Sequence, residues 1–128
     1  MDYENLDYLQ IILQIIVSVT ILNVWLLRFS KSTPWRGGNA SSMKEEFKTY
    51  GLNDTMMYIV GTLKVIFGFG LIAGVAYPSL IPICCIGIII LMAGAIGMHI
   101  KVKDEAKKSL PAFSMLVLSI AILVLQNQ

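Results

Sequence analysis

The sequence has little charge for its length. Of its 128 residues, 14% are Asp, Glu, Lys or Arg, against roughly a quarter in an ordinary soluble domain. Hydrophobic residues make up 56%. A soluble domain of this size leaves about a third of its unfolded surface exposed to water, and this surface must be polar. The composition therefore excludes a small soluble domain and predicts a single integral membrane domain over residues 1–128. The net charge of +2 is too small to indicate nucleic-acid binding.

Cysteine and histidine are also scarce. The two cysteines are adjacent, at Cys84 and Cys85, and His99 is the one histidine. Adjacent cysteines exclude a disulfide framework, lack the spacing of a redox pair and cannot supply a four-cysteine metal site. The spans also contain no phosphate-binding loop, serine nucleophile motif or carboxylate pair. The sequence therefore predicts neither a metal site nor a catalytic set.

Four apolar stretches are each long enough to cross a hydrocarbon core of ~30 Å, which takes about 20 helical residues. They predict membrane helices at about residues 9–29, 55–77, 80–100 and 110–126. Acidic residues precede the first stretch, whereas a secretory signal begins with positive charge, so we interpret it as a retained helix. The predicted fold class is all-α, a membrane four-helix bundle.

Basic residues lie on one side of these spans. Nine of the ten Lys and Arg residues fall in or beside two connections, 28–54 and 101–108. The N-terminal segment, the short turn at 77–79 and the C-terminal tail contain none. Short loops rich in Lys and Arg stay in the cytoplasm. We therefore expect a multi-pass protein of a bacterial-type inner membrane, with both termini outside the cytoplasm.

The first basic connection predicts a short amphipathic helix at about residues 42–50. Ser42 and Glu45 have the spacing of a capping box, which begins a helix. Met43 and Phe47 then recur at helical spacing among charged residues. Such a helix either lies at the membrane interface or covers the mouth of the bundle.

Small residues indicate where the helices pack. Helices associate in lipid by close approach rather than by expelling water, so glycine marks their contact faces. The short connection between the second and third spans makes them antiparallel neighbours. The GxxxG spacing of Gly70 and Gly74, repeated by Ala93 and Gly97, serves either this internal packing or a homodimer. The predicted packing residues are Gly61, Gly68, Gly70, Gly74, Gly94 and Gly97.

One ionisable residue lies deep inside a span. Lys64 is about nine residues into the second helix, or ~14 Å, where a charge costs at least ~2.5 kcal/mol. Gly61 and Gly68 share its helix face, so we expect it to point toward a neighbouring helix. His99 and Asn23 lie in the cytoplasmic half of their own spans. We predict a polar pocket in this half, formed by Lys64, His99 and Asn23, with Tyr58 and Trp25 near its mouth.

The same residues have a purely structural interpretation. Lys64 can extend toward water or backbone carbonyls at the cytoplasmic side. His99, at the end of the third helix, can interact favourably with the helix dipole. A Lys64→Leu protein that inserts, folds and keeps full activity or partner binding would argue against the pocket.

Glycine and histidine patterns recur through most of the chain. They comprise Tyr50-Gly51-Leu52, then the segment 58–64 running into Gly68-Phe69-Gly70-Leu71, a short turn containing proline, and the segment 92–99 ending in His99. Together, over about residues 30–125, they resemble the DoxX-like family of small four-helix membrane proteins. The family's histidine matches His99, whereas the position of Lys64 is often acidic or neutral in relatives.

The resemblance implies a membrane protein without an established catalytic set. Founding members of the family are similar to a subunit of a thiosulfate:quinone oxidoreductase, and other relatives accompany redox enzymes or assist the assembly of membrane proteins. We therefore interpret the chain as a non-catalytic accessory or assembly subunit of a redox-linked membrane complex. Its expected partners are the lipid bilayer and another membrane protein or a second copy.

Two alternatives remain open at this point. The chain could be a quinone-interacting oxidoreductase subunit that holds a quinone near Lys64 and His99. It could also be a small-solute transporter, although four spans without an evident inverted repeat disfavour this. A co-purifying protein would favour the accessory role, whereas quinone absorbance would favour the oxidoreductase subunit.

Overall fold

The structure is a computed structural model that describes residues 3–127, apart from the side chains of Tyr3 and Glu4. Residues 1, 2 and 128 of the predicted domain lie outside this part. All regular secondary structure within it is helical, which confirms the predicted fold class. The helices are α1 (Tyr3–Leu22), α2 (Met43–Thr49), α3 (Asp54–Ala73), α4 (Ile81–Lys101) and α5 (Leu110–Gln126).

Four segments are long and apolar enough to cross a membrane: Asn5–Leu27, Asp54–Ala73, Pro78–Lys101 and Ala106–Gln126. They match the four predicted spans to within a few residues. The second span is shorter than predicted at its end: α3 stops at Ala73 because the backbone turns there, with Val75 donating to the Ile72 carbonyl. Pro78 then begins a short 3-10 turn that leads into α4.

The four long helices form a ring. Each contacts two neighbours, in the cyclic order α1, α3, α4, α5, and the pair α4 and α5 packs most extensively. Within residues 3–127, the diagonal pairs α1 with α4 and α3 with α5 make no close backbone contact. We call the end that holds α2 and the α4–α5 connection the basic end, and the end with the α3–α4 turn the hairpin end.

Side chains fill the centre of the ring at the hairpin end. The fully buried ones include Gln14, Val17, Leu71, Ile81, Ile88 and Ile122. Gln14 on α1 donates a hydrogen bond of 2.8 Å to the carbonyl of Leu71, near the end of α3. Carbonyls in the last turn of a helix lack a partner within the helix, so this bond satisfies one of them. The hairpin half of the bundle is therefore a packed core, whereas the basic half contains a cavity.

The end of α1 widens into a π-helical turn over Asn23–Leu27. The Arg28 amide donates to the Asn23 carbonyl at 3.0 Å, five residues back instead of four. Such a turn rotates the side chains within it relative to the preceding helix. It leaves Trp25 buried at 7% exposure, while the neighbouring Leu27 is 69% exposed.

The connection between α1 and α3 folds over the basic end. We call residues 31–50 the cap segment. As the capping box predicts, Ser42 precedes α2 and accepts a hydrogen bond from the Glu45 amide at 3.2 Å. The face of α2 with Met43, Glu46 and Phe47 is buried. Of the two positions considered for this helix, the structure has it covering the mouth of the bundle.

Candidate functional site

A cavity of about 740 Å³ lies inside the basic half of the bundle. All five helices line it, and its volume is in the range of ~300–1,000 Å³ typical of small-molecule sites. The wall is mainly apolar and rich in flexible methionine side chains. Its apolar residues include Val60, Leu91, Met92, Met98, Ala112 and Met115.

Lys64 is the charged residue that α3 contributes to this cavity. It lies about ten residues after the start of α3, or ~15 Å along the helix axis. Its Nζ atom is 5.4 Å from the centre of the Trp25 ring, a distance typical of a cation–π contact. None of the ion pairs found among residues 3–127 includes Lys64. The ammonium group therefore faces the cavity without a carboxylate partner in this part of the chain.

Gly61 makes room for the ring that supports Lys64. A Cβ atom at Gly61 would lie 2.4 Å from Cζ3 of Trp25, which is closer than any real contact. Gly61 and Lys64 are one helical turn apart and so share a face of α3. Because Gly61 has no side chain, the Trp25 ring can pack against α3 next to the Lys64 ammonium group.

Arg36 and Glu46 fix the cap segment over the cavity. The Arg36 Nη1 atom donates to a Glu46 carboxylate oxygen at 3.1 Å, and both side chains are almost fully buried. The other nitrogens of Arg36 donate to the carbonyls of Arg28 and Lys31, the latter at 3.0 and 3.2 Å. The second Glu46 oxygen accepts from the Gly37 amide at 2.9 Å. One buried ion pair therefore joins the end of α1, the loop and α2.

Tyr50 extends this polar cluster toward α4. Its hydroxyl donates to Glu46 at 2.7 Å, and its ring meets the His99 ring edge-on at 5.9 Å. Burial raises the pKa of Tyr50, and the neighbouring Glu46 charge raises it further. The phenol is therefore protonated at any physiological pH and remains a hydrogen-bond donor. A chain of aromatic contacts continues through Phe47 to Trp25.

Asp104 links the cap segment to the α4–α5 connection. One of its oxygens lies 2.8 Å from Nδ1 of His99, and the other accepts from the Gly38 amide at 2.9 Å. Lys108 pairs with the same carboxylate at 3.8 Å and also donates to the Gly38 carbonyl. Burial opposes ionisation of Asp104, but the hydrogen bonds from His99 and Gly38 and the charge of Lys108 together outweigh it, so the pKa of Asp104 is lowered. The carboxylate thus stays charged and holds both connections together.

Four of the five residues predicted for the polar pocket line the cavity: Asn23, Trp25, Lys64 and His99. Among the described residues, no hydrogen bond or ion pair joins His99 to Lys64, because His99 is engaged by Asp104. Tyr58 differs from the expectation. It is 62% exposed and lines a shallow groove on the outer surface. Tyr58 lies six positions before Lys64 on α3, so its side chain points about 120° away from that of Lys64 around the helix axis.

The predicted packing glycines fall into two groups. On α3, an added Cβ would approach the side chains of neighbouring helices closely: Trp25 at Gly61, Leu22 at Gly68, Cys84 at Gly70 and Ile81 at Gly74. On α4, the expectation of close packing does not hold within the described chain, since an added Cβ at Gly94 or Gly97 meets no heavy atom within 4 Å. α3 and α4 therefore approach closely near their turn, whereas Gly94 and Gly97, closer to the basic end of α4, face open space.

Sequence reasoning missed the residues that build the cap. The sequence predicts no contact for Arg36, Glu46 or Asp104, and Tyr50 enters only as the end of the short helix and as part of the family pattern. The spacing of Glu46 and Tyr50, four residues apart on one helix, was the available signal of their contact. The pairing with Arg36 had no local signal, because the nine intervening residues form a loop and the start of α2, and the path of that loop depends on the fold.

Comparison with known proteins bears out the resemblance. A model of the DoxX-like family matches residues 15–124, a range that includes Lys64, His99 and the whole cap segment. Searches of curated proteins and of solved structures each gave no match. The match covers most of the chain, and the four apolar helices fit a multi-pass membrane protein. The chain belongs to the DoxX-like family.

Proposed function

We propose that this chain is a non-catalytic accessory subunit of a redox-linked membrane complex, and that its cavity holds a small molecule drawn from the bilayer. The observation that carries the proposal is the cavity itself, about 740 Å³ in volume with Lys64 in its wall. An apolar cavity of this size would reduce stability if nothing filled it, and a buried charge without a partner would add to the cost. An occupant with polar and apolar parts would relieve both.

The accessory role is supported by one face of α4. Ala93 and Gly97 are exposed and four residues apart, and a Cβ added at Gly97 would meet no heavy atom of the described chain within 4 Å. In lipid, small residues at this spacing let a second helix approach closely. We propose that a helix of another membrane protein occupies this face. The family's redox setting is the reason to look for that protein among membrane redox enzymes.

The orientation belongs to the same proposal. The charges that face outward at the basic end are largely Lys, which favours the cytoplasmic side of a bacterial-type inner membrane. Both termini would then lie outside the cytoplasm. A phosphatase fused to the C-terminus, active only outside the cytoplasm, is expected to be active. An inactive but stable fusion would reverse the orientation.

Gly94 and Gly97 allow the two parts of the proposal to be tested separately. Both positions are open, so leucine meets no neighbour at Cβ, but only Gly94 lines the cavity. Each variant would be purified in mild detergent, and its co-purifying proteins and extracted small molecules identified by mass spectrometry. We expect Gly94→Leu to lose a small molecule that wild type and Gly97→Leu retain. We expect Gly97→Leu to lose a protein that wild type retains. Full retention of both by both variants would contradict the proposal.

A second candidate is a quinone-interacting oxidoreductase subunit. The observation in its favour is that Lys64, a hydrogen-bond donor, and His99 lie in the wall of one apolar cavity. Quinone carbonyls are neutral acceptors that such groups can hold. A quinone in the extract, identified by ultraviolet absorbance that changes on reduction, would support this candidate. Its absence from an extract that contains another amphiphile would exclude it.

A further inference from the structure

We infer that the ligand of this cavity is an anionic amphiphile, a single acyl chain with a carboxylate or phosphate head group, which enters sideways from the bilayer between α3 and α4. The inference rests on the proposed binding function and specifies its ligand. It predicts that the head group pairs with Lys64 and that the chain extends through the opening beside Gly94.

The charge along the cavity wall is mainly positive. Among the described residues it consists of four cations and one carboxylate: Arg28, Arg36, Lys64, Lys108 and Glu46. Glu46 acts on Lys64 electrostatically, but one of its oxygens is bound by Arg36 and the other by Gly37 and Tyr50. Protein groups therefore leave Lys64 available for an external anion. A charged partner is favoured over a neutral one because hydrogen bonds between ions are roughly twice as strong.

The apolar part of the cavity wall indicates what the rest of the ligand is, beyond its head group. Methionines at positions 92, 98 and 115 face the same space as Lys64, together with Val60 and Leu91. Flexible thioether side chains adapt to an apolar chain without one fixed shape. A small hydrophilic anion such as inorganic phosphate would leave this surface unfilled. The combination of one free ammonium group with an apolar wall is complementary to a head group attached to a hydrocarbon chain.

The route into the cavity follows from the contacts between α3 and α4. Near their turn the two helices approach closely, as at Gly70 against Cys84 and Gly87 against Phe67. Toward the basic end the contact opens, and Gly94 is both exposed and part of the cavity wall. The mouth at the basic end is covered instead, because Arg36 and Asp104 hold the cap segment in place. The open side therefore faces the bilayer, where amphiphiles are found.

Trp25 provides a direct probe of occupancy. It is one of two tryptophans in the chain, and its ring lies against Lys64. In a Trp35→Phe background, all tryptophan fluorescence comes from Trp25. The protein would be placed in phosphatidylcholine nanodiscs and titrated with 9,10-dibromostearate, whose bromines quench tryptophan fluorescence at close range. The methyl ester of the same acid serves as the neutral control, and decylubiquinone serves as a neutral competitor.

We expect dibromostearate to quench Trp25 saturably and more strongly than its methyl ester. Lys64→Met should weaken binding of the acid about tenfold or more, as expected for loss of a charge-assisted hydrogen bond. Lys64→Arg should retain most of the affinity, and Gly94→Leu should abolish saturable quenching while Gly97→Leu should not. Thermal unfolding of each variant in detergent confirms that it is folded, and Lys64→Gln provides a second neutral variant.

The outcomes separate this inference from the proposed function. Equal binding of acid and ester, with no effect of Lys64→Met or Lys64→Gln, would overturn the anionic ligand but leave a cavity that binds neutral molecules. Displacement by decylubiquinone together with this result would favour a quinone. Failure of every probe to quench Trp25 saturably, with no small molecule in the purified protein, would overturn both the inference and the proposed function.

Discussion

Removing the charge of Arg36 should release the cap segment. The Arg36 side chain is 4% exposed and the Glu46 side chain 11%, so neither charge is solvated by water once its partner is lost. Breaking a buried pair by removing one member costs about 3–5 kcal/mol, because the remaining ion is uncompensated. Methionine is unbranched and apolar, so Arg36→Met removes the guanidinium charge and its hydrogen bonds but keeps an apolar side chain in place of the arginine stem.

The cost should appear as local opening rather than as loss of the bundle. The cap segment adds only Met43 and Phe47 to the buried apolar cluster, whereas the four long helices supply the rest of it. An opening free energy lowered by about 3 kcal/mol or more raises the exchange rate of protected amides by about a hundredfold or more. Hydrogen–deuterium exchange of peptides from residues 36–50 measures this directly, with peptides from α4 as the internal reference.

Lys44→Met is the matched control in the same cap segment. Lys44 pairs with Asp54 at 3.5 Å, but both side chains are about half exposed. An exposed pair contributes at most about 1 kcal/mol, so exchange should rise less than about fivefold. If Arg36→Met and Lys44→Met changed exchange by the same small factor, the buried ion pair would not be what holds the cap segment.

Other predictions concern packing, acid sensitivity and the buried glutamine. Gly61→Ala should destabilise the protein by about 1–3 kcal/mol in thermal unfolding, because its Cβ would overlap the Trp25 ring, whereas Gly97→Ala should not. Burial alone would raise the pKa of Asp104, but its interactions, which include the His99 and Gly38 hydrogen bonds, lower it in the folded protein. The carboxylate therefore stabilises the fold fully above its unfolded pKa near 4, and this stabilisation is lost as the pH falls through the lower folded pKa. Hydrogen–deuterium exchange measured over an acid titration should show that the amides of the cap segment lose protection as the pH falls. Asp104→Asn already lacks the charge, so it should not show this additional loss. Gln14→Leu should cost about 0.6–1.7 kcal/mol by loss of the bond to the Leu71 carbonyl, and no change in the unfolding temperature would refute a role for that bond.

The sequence predicted the architecture because membrane spans depend on long apolar runs, which are local. The four spans and the capped helix at Ser42 follow from composition and from a three-residue spacing. The contacts of Gly70 and Gly74 with α4 follow from the short turn, which makes α3 and α4 antiparallel neighbours at that end. These features need no knowledge of how distant segments meet.

The site was predictable only in part. The depth of Lys64 placed it in the interior, and Asn23 and His99 have the depth needed to share its cavity. The rotation of α1 was not predictable, because a π-helical turn at Asn23–Leu27 changes which side chains face inward. The pair Arg36 with Glu46 depends on the folded path of the loop before α2, and the pair Asp104 with His99 depends on the turn that ends α4, so helical spacing alone gave no sign of either.

The most direct test of a ligand-holding cavity is an experimental density map of the protein purified from its native membrane in mild detergent. The account predicts elongated density inside the basic half, with one end about 2.8 Å from Nζ of Lys64 and the other passing Gly94 toward the lipid. A cavity that holds only water, or a Lys64 side chain that turns to Glu46 and closes the space, would contradict it.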